Sequence, residues 1–362
     1  MIIGIDASKT ASKEKTGIDN TAYQIILNLK KIDKKNTYYL YTNKPLDKKL
    51  LDSANFIEKL IPFPRLWTKF RLPLALLKDK PDAFLALTNT VPSLAPENSA
   101  VLIHDFAFKF FPEAYSKTGL FLQESAITQA VKRAKRIIFT SKANKSDFLK
   151  FYQYPKEHIE ITPLGYNEDI FNKSVLYDIK NIARPYFLFV GRLETRKNVA
   201  RLIEAFIEFK KKYKSAHKLV LAGKHGYGYS EIVEKIESAG NLRKQIIQTG
   251  YINDAKLAKL YRGAEALVFP SLYEGFGLPI LEAFACETPV LTSNIGTLEE
   301  TAEKSALLVD VSKTSEITEG LHQISSDQSL RKTLIANGTE TLKKYSWEKT
   351  ATRILSILEG MK

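Results

Sequence analysis

Apolar residues along the chain come in short blocks separated by stretches with helical spacing, and the blocks fall into two series. In the first, residues 1–6, 38–42, 83–87, 100–103, 136–140 and 159–162 are compact apolar runs that predict strands, with helical spacing over 21–29 between the first two. In the second, residues 186–190, 218–221, 246–249, 266–269, 289–292 and 306–309 repeat the rhythm, with a helical stretch over 199–210. Near-continuous apolar strands alternating with helices are what a parallel sheet covered on both faces requires. The pattern predicts an α/β fold of two doubly wound domains facing each other across a cleft. The first would occupy residues 1–170, a polar, weakly patterned linker 171–185, and the second 186–345. Tyr345-Ser346-Trp347 opens a final amphipathic helix in 346–362, expected to cross back to the first domain.

Length supports two cores, since 362 residues exceed what one usually serves. The single cysteine, Cys286, excludes an internal disulfide framework and suits a reducing compartment. No signal pattern or bilayer-length apolar run is read, so a cytoplasmic protein, or one at the inner face of a membrane, is expected. The formal net charge of +14 leaves two readings open, a lysine-rich solubility bias and a functional basic surface. No zinc-knuckle or RNP-like motif supports nucleic acid as a partner.

Ligands of parallel sheets sit beyond the carboxyl ends of the strands, which places Gly17, His104, Asp105 and Ser141 on one rim of the first domain. In the second, the run at 266–269 leads into Ser271-Leu272-Tyr273-Glu274-Gly275-Phe276-Gly277-Leu278-Pro279-Ile280-Leu281-Glu282-Ala283. Two glycines permit a sharp turn, Pro279 suits the first helical position, and free N–H groups around residues 277–280 would face the strand end. The result is a phosphate cradle with a carboxylate on either side, Glu274 and Glu282. Carboxylates tolerate such a neighbour when they accept hydrogen bonds from hydroxyls, in which sugars are rich. The plainer reading is a first-turn glutamate complementing the helix dipole beside a solvated loop residue. Residues 191–198, GRLETRKN, follow the domain's first strand and point Arg192 and Lys197 at the same region, the one a fork for phosphate oxygens, the other a point charge. Together the two loops read as a diphosphate clamp.

These motifs resemble the retaining glycosyltransferases of family 4, whose two-Rossmann-domain architecture is called GT-B. The carriers are GRLETRKN, the Glu-x7-Glu pattern within PSLYEGFGLPILEA at 270–283, and His104-Asp105 within LIHDFAFKFFPEAYS. Weaker carriers are TGIDNTAYQIILNL at 16–29, FTSKANKSDF at 139–148 and ITPLGYNEDIF at 161–171. The resemblance implies that Glu274 contacts hydroxyls of the transferred sugar and Glu282 holds the nucleotide ribose. Backbone at Gly191, Gly275, Phe276, Gly277 and Leu278 would bind the diphosphate together with Arg192 and Lys197. The base would lie near Gly223, Tyr251 and Leu257, and Gly17 would approach the donor. His104 would stand near the reaction centre, oriented by Asp105, which with Asp19 completes an acceptor-side group. Relatives commonly carry a glycine where Asp19 stands, so its carboxylate must turn to acceptor or solvent.

The expected activity is metal-independent transfer of a hexose, mannose or glucose in type, from a GDP- or UDP-linked donor to a glycan or lipid-linked sugar. No cofactor beyond that donor substrate is expected, and no Asp-x-Asp occurs in the sequence. A nucleotide-sugar epimerase of the same architecture is the alternative, and a basic nucleic-acid-binding protein a weaker one. Residues 63–74, FPRLWTKFRLPL, mix aromatics with cations and either contact an anionic membrane surface or form an ordinary helix packed on the sheet.

Overall fold

The structure, a computed structural model, describes residues 1–11, 17–63 and 67–361. Thr16 of the N-terminal loop, and Pro64, Arg65 and Leu66 of the aromatic and cationic stretch, lie outside the described residues. The chain divides into two compact units, Met1–Gly165 with Ser346–Lys362, and Tyr166–Tyr345. The segment read as a linker belongs to the second unit: Phe171 packs edge-on against Tyr261 at 5.9 Å, Ile182 is buried, and Arg184 donates to the Arg262 carbonyl at 2.9 Å.

The first unit is a seven-stranded sheet of β1 (Ile2–Asp6), β2 (Thr37–Thr42), β3 (Phe56–Leu60), β4 (Ala83–Ala86), β5 (Ser99–Ile103), β6 (Arg136–Phe139) and β7 (Ile159–Ile161). The spatial order is β3-β2-β1-β4-β5-β6-β7, with every pair parallel. Strand β3 escapes the hydrophobic pattern because its sequence, FIEKL, has only its first residue buried; it is an edge strand. Edge strands need an apolar face only where they meet the core. The helix Gly17–Ile32 begins four residues before the apolar spacing does and buries Ala22, Ile25, Ile26 and Leu29. Against it packs the final helix, Trp347–Glu359, whose Trp347, Ala351, Ile354 and Leu358 are buried at helical spacing. Ser346 caps that helix by accepting from the Lys349 N–H at 3.2 Å.

The second unit has β8 (Tyr186–Val190), β9 (Lys218–Ala222), β10 (Ile246–Gly250), β11 (Ala266–Phe269), β12 (Val290–Ser293) and β13 (Leu307–Val309), ordered β10-β9-β8-β11-β12-β13. All of its pairs are parallel too. Its two central strands, β8 and β11, are buried at nearly every position, which is why each reads as a solid apolar run. The helix Val199–Tyr213 buries Val199, Leu202, Ile203, Phe206 and Phe209 against this sheet and ends in Lys210, Lys211 and Lys212, cations that suit a helix C-terminus. Each such aromatic contributes roughly 1.5–3 kcal/mol on leaving water. Connections leave in opposite directions from β8 and β11, so a crevice opens between their carboxyl ends, the place where open parallel sheets bind ligands. No described helix is long and apolar enough to cross a membrane.

Candidate active site

At the carboxyl end of β8 the chain passes Gly191, and at the end of β9 it passes Gly223, where φ is +153°. A Cβ on Gly223 would stand 1.9 Å from the Gly191 carbonyl oxygen, so only glycine lets the two strand ends lie this close. Gly191 N–H donates to the Ala222 carbonyl at 2.9 Å and Gly223 N–H to the Gly250 carbonyl at 3.0 Å, extending the ladder into the loops. At these two strand ends the floor beside the crevice is therefore backbone.

From the β8 side, residues 195–197 form a 3-10 turn closed by Asn198 in the left-handed region, φ +59°. The turn delivers Lys197 Nζ onto Glu274 Oε1, the carboxylate that follows β11. Arg196 Nη1 reaches the same carboxylate at 3.3 Å and donates to the Tyr273 carbonyl at 2.8 Å. Its Nη2 pairs with Glu194 at 2.9 Å. Lys197 also lies over the Phe269 ring, 5.1 Å from its centroid. Burial pulls the Lys197 ammonium below its ordinary range, with Glu274 offsetting part of the effect. Burial alone would lift the Glu274 carboxyl; Lys197 and then Arg196 reverse that and hold it below the usual carboxylate range. The pair is a desolvated ion pair with a second cation in support.

Gly277, at φ +104°, turns the chain into the helix Leu278–Ala285. Leu278 is the first helical residue and Pro279 the second, one place later than the sequence predicts. Nor is the Ile280 N–H free to face the strand end: it donates to the Gly277 carbonyl at 2.9 Å, because the turn tightens before the helix begins. The cradle is thus confined to the first N–H groups of the turn. One helical turn on, Glu282 Oε2 accepts from the Tyr261 hydroxyl at 2.9 Å. Burial, reinforced by the charge of Asp254 and opposed by the Tyr261 hydrogen bond, pushes its carboxyl up to about 7. Two glutamates eight positions apart therefore hold opposite character, Glu274 fixed as an anion and Glu282 poised near neutrality.

The residues expected around the base separate by exposure. Tyr251 is half exposed, with Lys224 Nζ 5.0 Å from its ring centroid. Leu257 is 8% exposed in the helix Asp254–Gly263 and serves chiefly that unit's core. Arg192 is exposed, unlike its neighbours Arg196 and Lys197, and so is available to an incoming anion.

In the first unit His104 and Asp105 follow β5, as the apolar run at 100–103 implies. The expectation that Asp105 orients His104 is corrected. The imidazole Nε2 meets the Leu87 carbonyl at 3.0 Å, and a carbonyl can only accept, so Nε2 carries the proton and Nδ1 is left as an acceptor. Asp105 instead accepts from the Ala107 N–H at 3.0 Å and bears on the ring through its charge. Burial depresses the His104 basicity, the Leu87 bond and the charges of Asp105 and Asp19 working the other way. Asn144, in the helix that Ser141 caps, donates to the His104 carbonyl at 2.9 Å and fixes the backbone. Asp19 is buried in the first turn of the helix Gly17–Ile32, and its charge acts on His104. A Cβ on Gly17 would meet nothing within 4 Å, so the protein itself does not demand glycine there.

Sequence reasoning brought Lys197, Glu274 and Glu282 to the right strand ends and missed Arg196, Glu194 and Tyr261. Arg196 stands next to Lys197 in the same motif, and a cation flanked by Glu194 was a visible sign. Tyr261 lies 21 positions before Glu282 on another helix, and no local pattern links them.

Residues 178–341 match the family model of the glycosyl transferases group 1. The chain is similar to the O-antigen chain mannosyltransferase B of Escherichia coli, 29% identical over 266 residues that span 72% of this chain and 70% of that protein. It is 31% identical over 225 residues to the O-antigen chain mannosyltransferase RfbU of Salmonella typhimurium, spanning 61% of this chain and 59% of that one. Among solved structures, Anabaena HepE in complex with UDP-glucose superposes with a TM-score of 0.77 at 17% identity over 99% of both chains. Two parallel-sheet α/β units with these neighbours constitute the GT-B fold.

Proposed function

The chain is a group 1 glycosyltransferase, and from that premise we propose that it moves a hexose, mannose or glucose in type, from a GDP- or UDP-linked donor to a glycan or lipid-linked acceptor. Retention of anomeric configuration and independence of metal ions are part of the same reading, as the resemblance to family 4 implies. The observation that carries it is the arrangement at the switch point of the second sheet: Glu274 clasped by Lys197 and Arg196 before a glycine turn, and Glu282 on Tyr261 one helical turn beyond. A diphosphate fits between them, on the N–H groups around Gly275, Phe276, Gly277 and Leu278, with Arg192 and Lys197 closing on its oxygens and Gly191 beneath. Glu274 then accepts from sugar hydroxyls and Glu282 from the ribose, while Gly223, Tyr251 and the edge of Leu257 border the base.

The chemistry follows from where charge develops. As the anomeric C–O bond to phosphate breaks, negative charge gathers on the departing oxygen, and Arg192, Lys197 and the helix start stabilise it. An acceptor hydroxyl oxygen forms the new bond to the anomeric carbon from the same face, and its proton passes to the departing phosphate oxygen. No carboxylate of the protein forms a covalent intermediate; Glu274, held by two cations, is better placed to orient hydroxyls than to attack carbon. His104, its Nδ1 an acceptor, and Asp19 and Asp105 serve the acceptor side, while Gly17 approaches the donor.

The O-antigen relatives support assembly of a surface polysaccharide, with the enzyme in the cytoplasm and the helix Trp67–Asp79 touching the inner face of the membrane. Incubating the protein with GDP- and UDP-linked hexoses and reading nucleotide diphosphate release, with and without mannosylated or lipid-linked acceptors, tests the reading and names the donor. Release from none of them rejects it; product anomeric configuration by NMR tests retention, and turnover in EDTA tests metal independence.

A further inference from the structure

The reading above sets Lys197 and Glu274 a conflict. The ammonium is needed at the diphosphate and the carboxylate at the sugar, yet in this structure each is the other's partner. Once Lys197 turns to phosphate, Glu274 loses a charge partner at a site where its side chain is only 10% exposed, and a buried carboxylate so stripped is costly to keep in place.

A second holder is built in. The Arg196 guanidinium, 19% exposed, has its fork committed to three acceptors: the Tyr273 carbonyl at 2.8 Å, Glu274 Oε2 at 3.3 Å and Glu194 Oε1 at 2.9 Å. A planar fork bound on both prongs cannot turn without losing all three, which a lysine's point charge could not achieve. Glu194 is itself wedged, since a Cβ on Gly226 would lie 2.7 Å from its Cβ and 2.9 Å from its Oε2. The Leu272 N–H donates to the Arg196 carbonyl at 2.9 Å, so backbone and side chain both tie the loop after β8 to the loop after β11. Arg192 stands exposed beside them and is free of that duty.

We propose that Arg196 is the positioning residue for the sugar-binding carboxylate: anchored on Glu194, it keeps Glu274 in place while Lys197 is drawn onto the donor diphosphate. Arg196 acts on the sugar through Glu274 and does not itself bind phosphate. The inference rests on the donor assignment above, and its test separates the two.

The test is calorimetric titration of wild type, Arg196→Ala, Arg196→Lys and Glu194→Gln with GDP and UDP alone, then with the nucleotide sugar identified by the donor screen, followed by kcat against pH. Nucleotide affinity should stay within about twofold of wild type in all three variants, the scatter of a change that touches neither partner. The additional affinity contributed by the sugar should vanish in Arg196→Ala, with kcat lower by about 10²-fold. Arg196→Lys should recover part of it, and Glu194→Gln, which leaves the Arg196–Glu274 contact intact, should show a weaker loss in the same direction. The charged groups facing Glu274 are Lys197 and Arg196, with Glu194 behind them and the Ser271 hydroxyl beside it, so removing Arg196 should also move the acidic limb of kcat to higher pH. Equal loss of affinity for nucleotide and nucleotide sugar would make Arg196 a phosphate ligand and overturn the proposal. So would an unchanged sugar increment and kcat. Wild type that binds no nucleotide would bring down the donor assignment and this inference together.

Discussion

At the scale of single residues, the site is a set of charges whose environments have been pushed apart. Lys197 is buried against Glu274 and Phe269, so Lys197→Ala removes both a preorganised donor for the leaving phosphate and the nearest partner of a buried carboxylate. Transfer should fall by at least about 10²-fold with the fold retained by circular dichroism; near-normal turnover with the correct nucleotide sugar would remove Lys197 from the mechanism. Glu282 makes a different prediction, about stability. Its carboxyl is raised from 4.5 to about 7, so the folded state favours the neutral form. A raised folded pKa contributes stability that is complete below about 4.5 and is lost as pH rises through about 7. Above that, the fold carries a desolvated anion at a cost on the order of 3 kcal/mol. Glu282→Gln, neutral at every pH, should therefore gain on wild type in ligand-free denaturant titrations as pH climbs from 4.5 to 8, and match it at pH 4; a constant difference across that range would contradict the assigned burial. Lys197 and Glu274 were legible because each lies in the loop that follows an apolar strand run. The Tyr261–Glu282 bond and the Asp105 turn were not, since both depend on which atom a side chain meets rather than on where the chain goes.

At the scale of elements, strands that are buried on both faces announced themselves, and the fold class followed from them. What stayed hidden was β3, whose polar edge faces away from the core, and the tight turn that consumes the Ile280 N–H, which depends on a positive φ at Gly277 rather than on residue type alone. The helix Trp67–Asp79 has a packed face and an exposed one. Trp67, Leu72, Pro73 and Leu76 pack inward, while Phe70, Leu74 and Leu77 are 59%, 58% and 55% exposed along one stripe. Lys69, Arg71 and Lys78 are exposed beside that stripe, and the protein carries a net charge of +14, so the proposed contact with an anionic lipid surface makes a testable prediction. Flotation with phosphatidylglycerol-containing liposomes should recover the protein at low salt and lose it in the double variant Phe70→Glu, Leu74→Glu. Absence of wild-type binding, or equal binding by the variant, would return this stripe to an exposed helix face with no lipid role.

At the scale of the molecule, the two units are unequal in what they owe to the chain's final helix. Tyr166–Tyr345 holds Lys197, Arg196, Glu274, Tyr261 and Glu282 entirely within itself, so these five side chains need nothing from residues 346–362. The first unit does need them. Trp347, Ala351, Ile354 and Leu358 are buried against it, Thr350 Oγ1 donates to the Pro163 carbonyl at 2.8 Å, and Asn36 Nδ2 donates to Glu359 at 3.0 Å. Gly165 lies so close to the helix start that a Cβ there would come within 2.1 Å of the Trp347 nitrogen. Each large apolar side chain in that seam is worth roughly 1.5–3 kcal/mol, which together is a sizeable part of the 5–15 kcal/mol that holds a typical domain folded. Ending the chain after Tyr345 should therefore lower the melting of the first unit selectively. Calorimetry should show one transition displaced downward and a second near its wild-type temperature, the second rising on addition of GDP or UDP as ligand linkage requires. Glycosyl transfer should be lost while nucleotide affinity persists. If both transitions fall together, or if nucleotide binding disappears with the helix, the donor site draws on the first unit after all and its confinement to the second is wrong.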